Sequence, residues 1–415
     1  MTTPEVPSID GDRLWSTILH TASMGATGRG GLCRLAGSDA DGAVRDWFVA
    51  AARDAGCYVD VDPIGNVFAT RPGRVADRAA VSCGSHLDTQ PTGGRFDGVL
   101  GVLAGLEVLR SLNDRAIETE APITVINWTN EEGSRFAPGI MGSSVHRGLV
   151  ELSRALAAQD ADGRTLGACL QQIGYAGDAP LGGRSLDSYF ELHIEQGPVL
   201  EAEGQTIGVV TGAQGLRWYD VSVFGTGGHA GTVPMALRRD AMMAAADLIT
   251  QIRMVATDRN RPAVATVGRL NIPGASRNTI PGTVELTVDI RHPHAETLDA
   301  IEKGLRAALE SVSHRHGVEI TLAKASDTPP VAFDADCVAA VRSGAQALGL
   351  SHMDITSGAG HDACVMAGAV PTGMIFVPCK DGVSHQERED MTQADAAAGA
   401  AVLFEAMLAR AGRAT

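Results

Sequence analysis

The strongest constraint on this chain is a set of almost wholly apolar runs, each of which breaks off into a loop of charged residues. Residues 80–85 read as a buried strand, 98–112 (GVLGVLAGLEVLRSL) as an apolar helix, and 123–129 (ITVINWT) as a second buried strand. A strand with little polar alternation has to be covered on both faces, and helices alternating with strands supply that cover. Residues 43–56 fit the pattern: Val44, Trp47, Phe48 and Ala51 share a helical face that ends at Gly56. Short strands are expected at 58–62 and 66–70, joined by a turn at Gly65-Asn66. The fold class is therefore α/β, with helices on both faces of the sheet. Active sites in such sheets gather in loops just past the strands' C-terminal ends.

The texture changes near Gly212. Residues 216–224 alternate as a half-exposed strand does, 239–254 and 295–314 read as helices, and 265–270, 283–290 and 319–323 as strands. These suit a smaller α+β insert with an antiparallel sheet. Past Thr328-Pro329-Pro330 the α/β texture returns, with helices at 335–348 and 392–410 flanking a strand at 373–378. The expected organisation is a discontinuous domain, 1–213 and 327–415, interrupted by a second at 214–326.

Composition excludes several classes. With 34 basic and 49 acidic residues the net charge is −15, which disfavours nucleic-acid binding, since phosphate contacts need clustered Lys and Arg. The seven cysteines form no CxxC pair, so a zinc ribbon is not expected and any metal would be held by His and carboxylates. The start lacks a basic segment followed by an apolar run, and no apolar stretch approaches the ~18 residues of a membrane span. A cytoplasmic protein without a membrane partner is the expectation.

Polar residues stand where turns alone would suffice. They are 84–89 (GSHLDT), 93–98 (GGRFDG), 130–133 (NEEG), a fourth loop at 191–197 (ELHIEQG), and 382–387 (GVSHQE). His and carboxylates at strand ends suit a borderline divalent ion such as zinc. Two adjacent glutamates in a buried loop repel unless a cation or a shared proton compensates. With a metal, one of Glu131 and Glu132 coordinates and the other is free to take a proton from the attacking water. Asp88, two residues beyond His86, is placed to accept the ring's other N–H. Taken singly, each residue has an ordinary reading: His86, His193 or His385 as a hydrogen-bonded histidine, Asp97 as a helix N-cap, Glu131-Glu132 as a solvated pair. GTGGHA (225–230) fits the dinucleotide fingerprint, but Thr232-Val233-Pro234 intervenes before the next helix, so that reading is rejected. No G-x-S-x-G elbow occurs.

The segments HLDTQPTGGRFDGVLG (86–101), NEEGSRF (130–136), ELHIEQGPVLE (191–201), GTGGHAGTVPM (225–235), NTIPGTVELTVDIR (278–291), SGAGHDA (357–363) and SHQERED (384–390) resemble the hydantoinase/carbamoylase group of the M20-type metallohydrolases. The resemblance implies a mixed-sheet two-metal hydrolase domain interrupted by a smaller α+β dimerisation, or lid, domain. It implies two divalent ions per subunit, zinc first, with manganese, cobalt or nickel as alternatives. His86 and His193 would hold one ion, Glu132 and His385 the other, and Asp97 would bridge them. Glu131 resembles the general base. His229 resembles the group that stabilises the oxyanion, reaching the partner subunit's site in a homodimer. Arg291 resembles the clamp on a substrate carboxylate, Gln196, Arg217 and Asn278 match positions that hold polar substrate groups, and Gly360-His361 would lie in a loop over the substrate. The implied substrate is a small ureido carboxylate, an N-carbamoyl-L-amino acid first. Allantoate amidohydrolase and β-ureidopropionase are the alternatives, then an N-acyl-amino-acid hydrolase, a dipeptidase, or a non-catalytic binding protein of the same fold.

Overall fold

The apolar runs pair side by side in the computed structural model, which describes residues 9–75, 77–257 and 263–414. Ala80–His86 runs parallel to Ile123–Trp128 on one side and to Leu186–Ile194 on the other, and Thr372–Val377 continues parallel beyond Leu186–Ile194. Antiparallel strands extend this core: Val67–Arg71 and then Tyr58–Val61 at one end, Ile207–Ala213 at the other. With His352–Ser357 and the short Val331–Ala332 both pairing Ile207–Ala213, the described residues form a nine-stranded mixed sheet. Successive strand residues point to opposite faces. A Cβ at Gly399, in the helix Gln393–Ala411, would lie 2.7 Å from Leu192, whereas Glu191 accepts the backbone N–H of Ala363 in the helix Asp362–Met366. Helices therefore cover both faces, which is why Ile123–Trp128 and Thr372–Val377 are buried at every position.

Two compact units form, Met1–Gly212 with Ala332–Thr415, and Ala213–Val331. In the second, four antiparallel strands run in the order Glu319–Thr328, Gly215–Phe224, Thr283–His292, Val264–Asn271. Burial alternates strictly along Thr283–His292, placing Val284, Leu286, Val288 and Ile290 in a core shared with the helices Ala241–Ala256 and Ala295–His316. The expected boundary at 326 falls inside the strand Glu319–Thr328, and the unit runs on to Val331.

One expectation is corrected in a way that matters for the site. Residues 191–194, read as part of a loop, complete the buried strand Leu186–Ile194. Its polar residues disguise it, because here the sheet's interior face carries Glu191 and His193 rather than aliphatic side chains. The helix Gly11–Thr21 and the strand His352–Ser357 were also not read from the sequence. Among the described residues no helix is long and apolar enough to cross a membrane.

Candidate metal centre

The four parallel strands end on one edge of the sheet, and each delivers a candidate ligand there. His86 is the last residue of Ala80–His86 and His193 the penultimate residue of Leu186–Ile194. Glu131 and Glu132 follow Ile123–Trp128, and His385 follows Thr372–Val377 after a short turn. Asp97 comes from the loop before the helix Val99–Asp114. That loop can approach because residue 98 is glycine: its φ is +68°, and a Cβ there would stand 2.2 Å from His86 Nε2.

Asp97 has one oxygen for each of two groups. Its Oδ1 lies 3.1 Å from His193 Nε2 and 3.7 Å from His86 Nε2. Its Oδ2 lies 3.4 Å from His385 Nε2, which in turn is 3.5 Å from Glu132 Oε2. Ligands about 2.1 Å from a tetrahedral ion stand about 3.4 Å apart, so both sets, His86–Asp97–His193 and Asp97–Glu132–His385, fit a divalent ion. His86 Nδ1 lies 2.8 Å from the Asp88 carbonyl and His193 Nδ1 2.9 Å from the Ile194 carbonyl. A carbonyl only accepts, so Nδ1 carries the proton in both rings and Nε2 faces the site. Glu191, His193 and His361 make a third close group, which shares His193 with the first.

The electrostatics call for a cation. Burial pushes Glu131 well above the usual carboxylate range, and Asp362, Glu132, Asp88 and Glu191 push it further. Burial followed by Asp97 raises Glu132 to about 8, and burial raises Asp88 to about 7. Asp97 goes the other way: burial opposes its charge, but the neighbouring His193 and His385 hold it well below the ordinary value. Burial takes His86 down to about 4. These carboxylates raise one another's affinity for protons, the condition a dication relieves.

Several expectations change at the level of side chains. Asp88 orients His86 through its backbone carbonyl, and its carboxylate accepts the backbone N–H groups of Glu131 and Glu132, both at 3.3 Å. It therefore shapes the glutamate turn, a task that needs an acceptor facing two consecutive amides. Gln196 donates to Asp97 Oδ2 at 2.8 Å and to Ser384 at 3.1 Å, so it touches a candidate ligand. Gly360 is exposed, but His361 is 2% exposed, with Nε2 3.0 Å from the Ser357 hydroxyl and its ring centroid 4.6 Å from that of His193. It packs against the ring of His193, a candidate ligand.

The remaining candidates belong to the second unit. Arg217 is engaged by three carboxylates, Asp299 at 2.6 Å and Glu302 and Asp327 at 3.0 Å. These three pairs make it a clasp within its own unit. Arg217→Ala should destabilise the protein by about 1–3 kcal/mol and leave zinc uptake unchanged, as thermal melts and metal analysis would show. Arg291 is bound by Asp289 at 2.8 Å. His229 and Asn278 come together where Gly228–His229 pairs with Thr279–Ile280, the Ala230 N–H donating to the Asn278 carbonyl. His229 is exposed.

Contacts the sequence reading did not assign surround these ligands. Ser384 donates to Asp97 Oδ2 at 2.6 Å. Gln90 holds both oxygens of Glu132, at 2.6 Å from its side chain and 3.1 Å from its backbone N–H. Glu191 accepts from Ser85 at 2.7 Å. Gln90, Glu191 and Ser384 lie inside the motif segments quoted above, the one signal that could have found them.

A nine-stranded mixed sheet with paired His and carboxylate groups at one edge is the arrangement of a metal-dependent hydrolase. Residues 83–409 match the model of peptidase family M20/M25/M40, and the chain belongs to that family. Within it, the chain belongs to the hydantoinase/carbamoylase group. It is 46% identical over 400 residues to an N-carbamoyl-L-amino-acid amidohydrolase of Rhizobium meliloti, covering 96% of each chain. It is 38% identical over 400 residues to an N-carbamoyl-L-amino acid amidohydrolase of Geobacillus stearothermophilus, covering 95% of this chain and 97% of that one. The crystal structure of a hydantoinase/carbamoylase family amidase from Burkholderia multivorans superposes with a TM-score of 0.96 at 53% identity, over 98% of this chain and 99% of that one.

Proposed function

We propose that this protein hydrolyses the ureido C–N bond of an N-carbamoyl-L-amino acid, giving the amino acid, carbon dioxide and ammonia. The observation that carries the reaction class is the single Asp97 carboxylate serving two ligand groups, with Glu131 Oε2 3.4 Å from His86 Nε2. The names of the relatives supply the substrate class. His86 and His193 would hold one ion and Glu132 and His385 the other, with zinc the best match to this mixed nitrogen and oxygen set. When bound, such ions polarise the scissile carbonyl and acidify the attacking water.

The chain's own groups then move the protons. As the water oxygen joins the ureido carbon, Glu131 takes a proton and returns it to the nitrogen that leaves. The amino acid is released, and the remaining carbamate breaks into carbon dioxide and ammonia. His229 donates to the developing oxyanion, Asn278 holds a polar substrate group, and Arg291, aimed by Asp289, clamps the α-carboxylate. Arg291→Ala should raise KM about 10–100-fold for carboxylate substrates; an unchanged KM would place the clamp elsewhere. A cavity of about 480 Å³, lined by Gln196, Ser384, His385 and Arg388 among others, opens beside the second ligand group and offers room for a small ureido acid.

A homodimer in the cytoplasm is part of the same proposal. The edge strand Val264–Asn271 leaves Val264 54% and Leu270 41% exposed, which favours cover by a second copy. If His229 acts in the partner's site, mixing inactive His229→Ala and Glu131→Gln subunits restores part of the activity; none after verified exchange counts against it.

The deciding experiment is product release from the zinc-loaded protein on N-carbamoyl-L- and D-amino acids, N-carbamoyl-β-alanine, allantoate and N-acetyl-amino acids. Ammonia is followed for the ureido compounds and free amine for the acetyl compounds. Fastest ammonia release from an N-carbamoyl-L-amino acid is the expected result. Silence across the panel with two ions bound per chain would overturn it.

A further inference from the structure

Glu389 is a buried carboxylate with no part in the chemistry described above. It is 1% exposed, yet it lies in the segment that carries His385. Its Oε1 accepts two consecutive backbone hydrogen bonds from the far side of the sequence, from Phe96 at 2.9 Å and from Asp97 at 3.1 Å. Its Oε2 is buried without a hydrogen-bond partner. Burying a carboxylate costs several kcal/mol unless the surroundings compensate, so a site that keeps one half-satisfied is spending stability on something else.

The surroundings are shaped to admit it. A Cβ at Gly94 would stand 2.0 Å from the Glu389 carboxyl carbon, so residue 94 has to be glycine for the carboxylate to reach the loop. Residues 93–97 form no regular strand or helix; Gly93 bridges to Leu32 and Phe96 stacks on Trp15 at 5.6 Å. Neither contact reaches the Asp97 backbone. Glu389 does so on the N-terminal side of that residue, and the left-handed turn at Gly98 fixes the C-terminal side.

We propose that Glu389 is a positioning residue that sets the Asp97 backbone, so that one carboxylate faces both ligand groups. The inference rests on the two-metal reading above. Asp97 has to direct Oδ1 to His193 and Oδ2 to His385 at once, and its short side chain cannot absorb a shifted backbone without losing one of them. Because Glu389 and His385 share a segment, the loop that brings a ligand to one ion also aims the bridge between the two. Removing a residue that orients a metal ligand typically costs about 10–100-fold in metal affinity.

The test is zinc affinity and stoichiometry, measured by chelator competition on wild type, Glu389→Ala, Glu389→Gln, Glu389→Asp and Gly94→Ala, with thermal melts of the metal-free proteins alongside. Glu389→Ala is expected to lose about 10–100-fold in zinc affinity, with kcat recovering at excess zinc because the reacting groups are intact. Glu389→Gln keeps an oxygen that accepts both N–H bonds and should stay within about threefold of wild type. Glu389→Asp keeps the charge but falls short of the loop, and Gly94→Ala displaces an intact Glu389; both should weaken binding as Ala does. If Glu389→Ala fails to fold, the Gln and Asp pair decides between reach and charge. Wild-type zinc affinity in Glu389→Ala, or a Gln variant as weak as the Ala variant, overturns the proposal. A wild type that binds fewer than two ions overturns the two-metal reading instead.

Discussion

Glu131→Gln should leave zinc content unchanged and lower kcat by about 10²–10⁴-fold, the range a general base commonly supplies. The glutamine has the same shape and size, so the turn that Asp88 holds through the Glu131 and Glu132 amides is retained. What disappears is the ability to accept a proton. The experiment is paired metal analysis and steady-state kinetics. Near-wild-type turnover would remove Glu131 from the role of base, while a parallel loss of zinc would make it a ligand.

Asp97→Asn should have the larger effect on metal. Asn keeps one carbonyl oxygen but replaces the other with an NH₂ that donates and cannot coordinate. The oxygen shared with His193 and the one shared with His385 therefore cannot both serve as ligands. Zinc content should drop below two ions per chain, and the weaker site should lose more than the about 10–100-fold expected for residues that act behind a ligand. Turnover should fall with it, because a two-metal reaction needs both ions to orient water and carbonyl. Two ions at wild-type affinity in Asp97→Asn would show that Asp97 is not the bridge.

Much of the architecture is legible in the sequence. The runs at 80–85 and 123–129 are apolar because both faces of their strands are covered, so composition alone marks them as interior. Residues 283–290 read as a strand too, and the alternating burial of Thr283–His292 puts one face on the core and leaves the other half-buried. Leu186–Ile194 was opaque for the opposite reason: a strand that forms the wall of a polar site carries Glu191 and His193 where an apolar residue would announce it. Candidate ligands were legible as types at strand ends, through residues such as His86 and Glu132. Arg217 shows the limit, since an arginine in a motif reads the same whether it meets a substrate or, as here, Asp299, Glu302 and Asp327.

The sequence by itself determined which elements would be buried, in what order the polar loops follow them, and which side chains there can bind a metal or move a proton. Those properties follow from residue type and periodicity, which are local. Only the tertiary structure decided that the Asp88 carboxylate would hold a backbone turn while its carbonyl oriented His86, and that Glu389 would close on the Asp97 amide across 292 positions. Each of these depends on which way a side chain points and on what a distant segment brings within 3 Å of it. Rotamer choice and long-range contact are settled jointly by packing, after the local pattern has been spent.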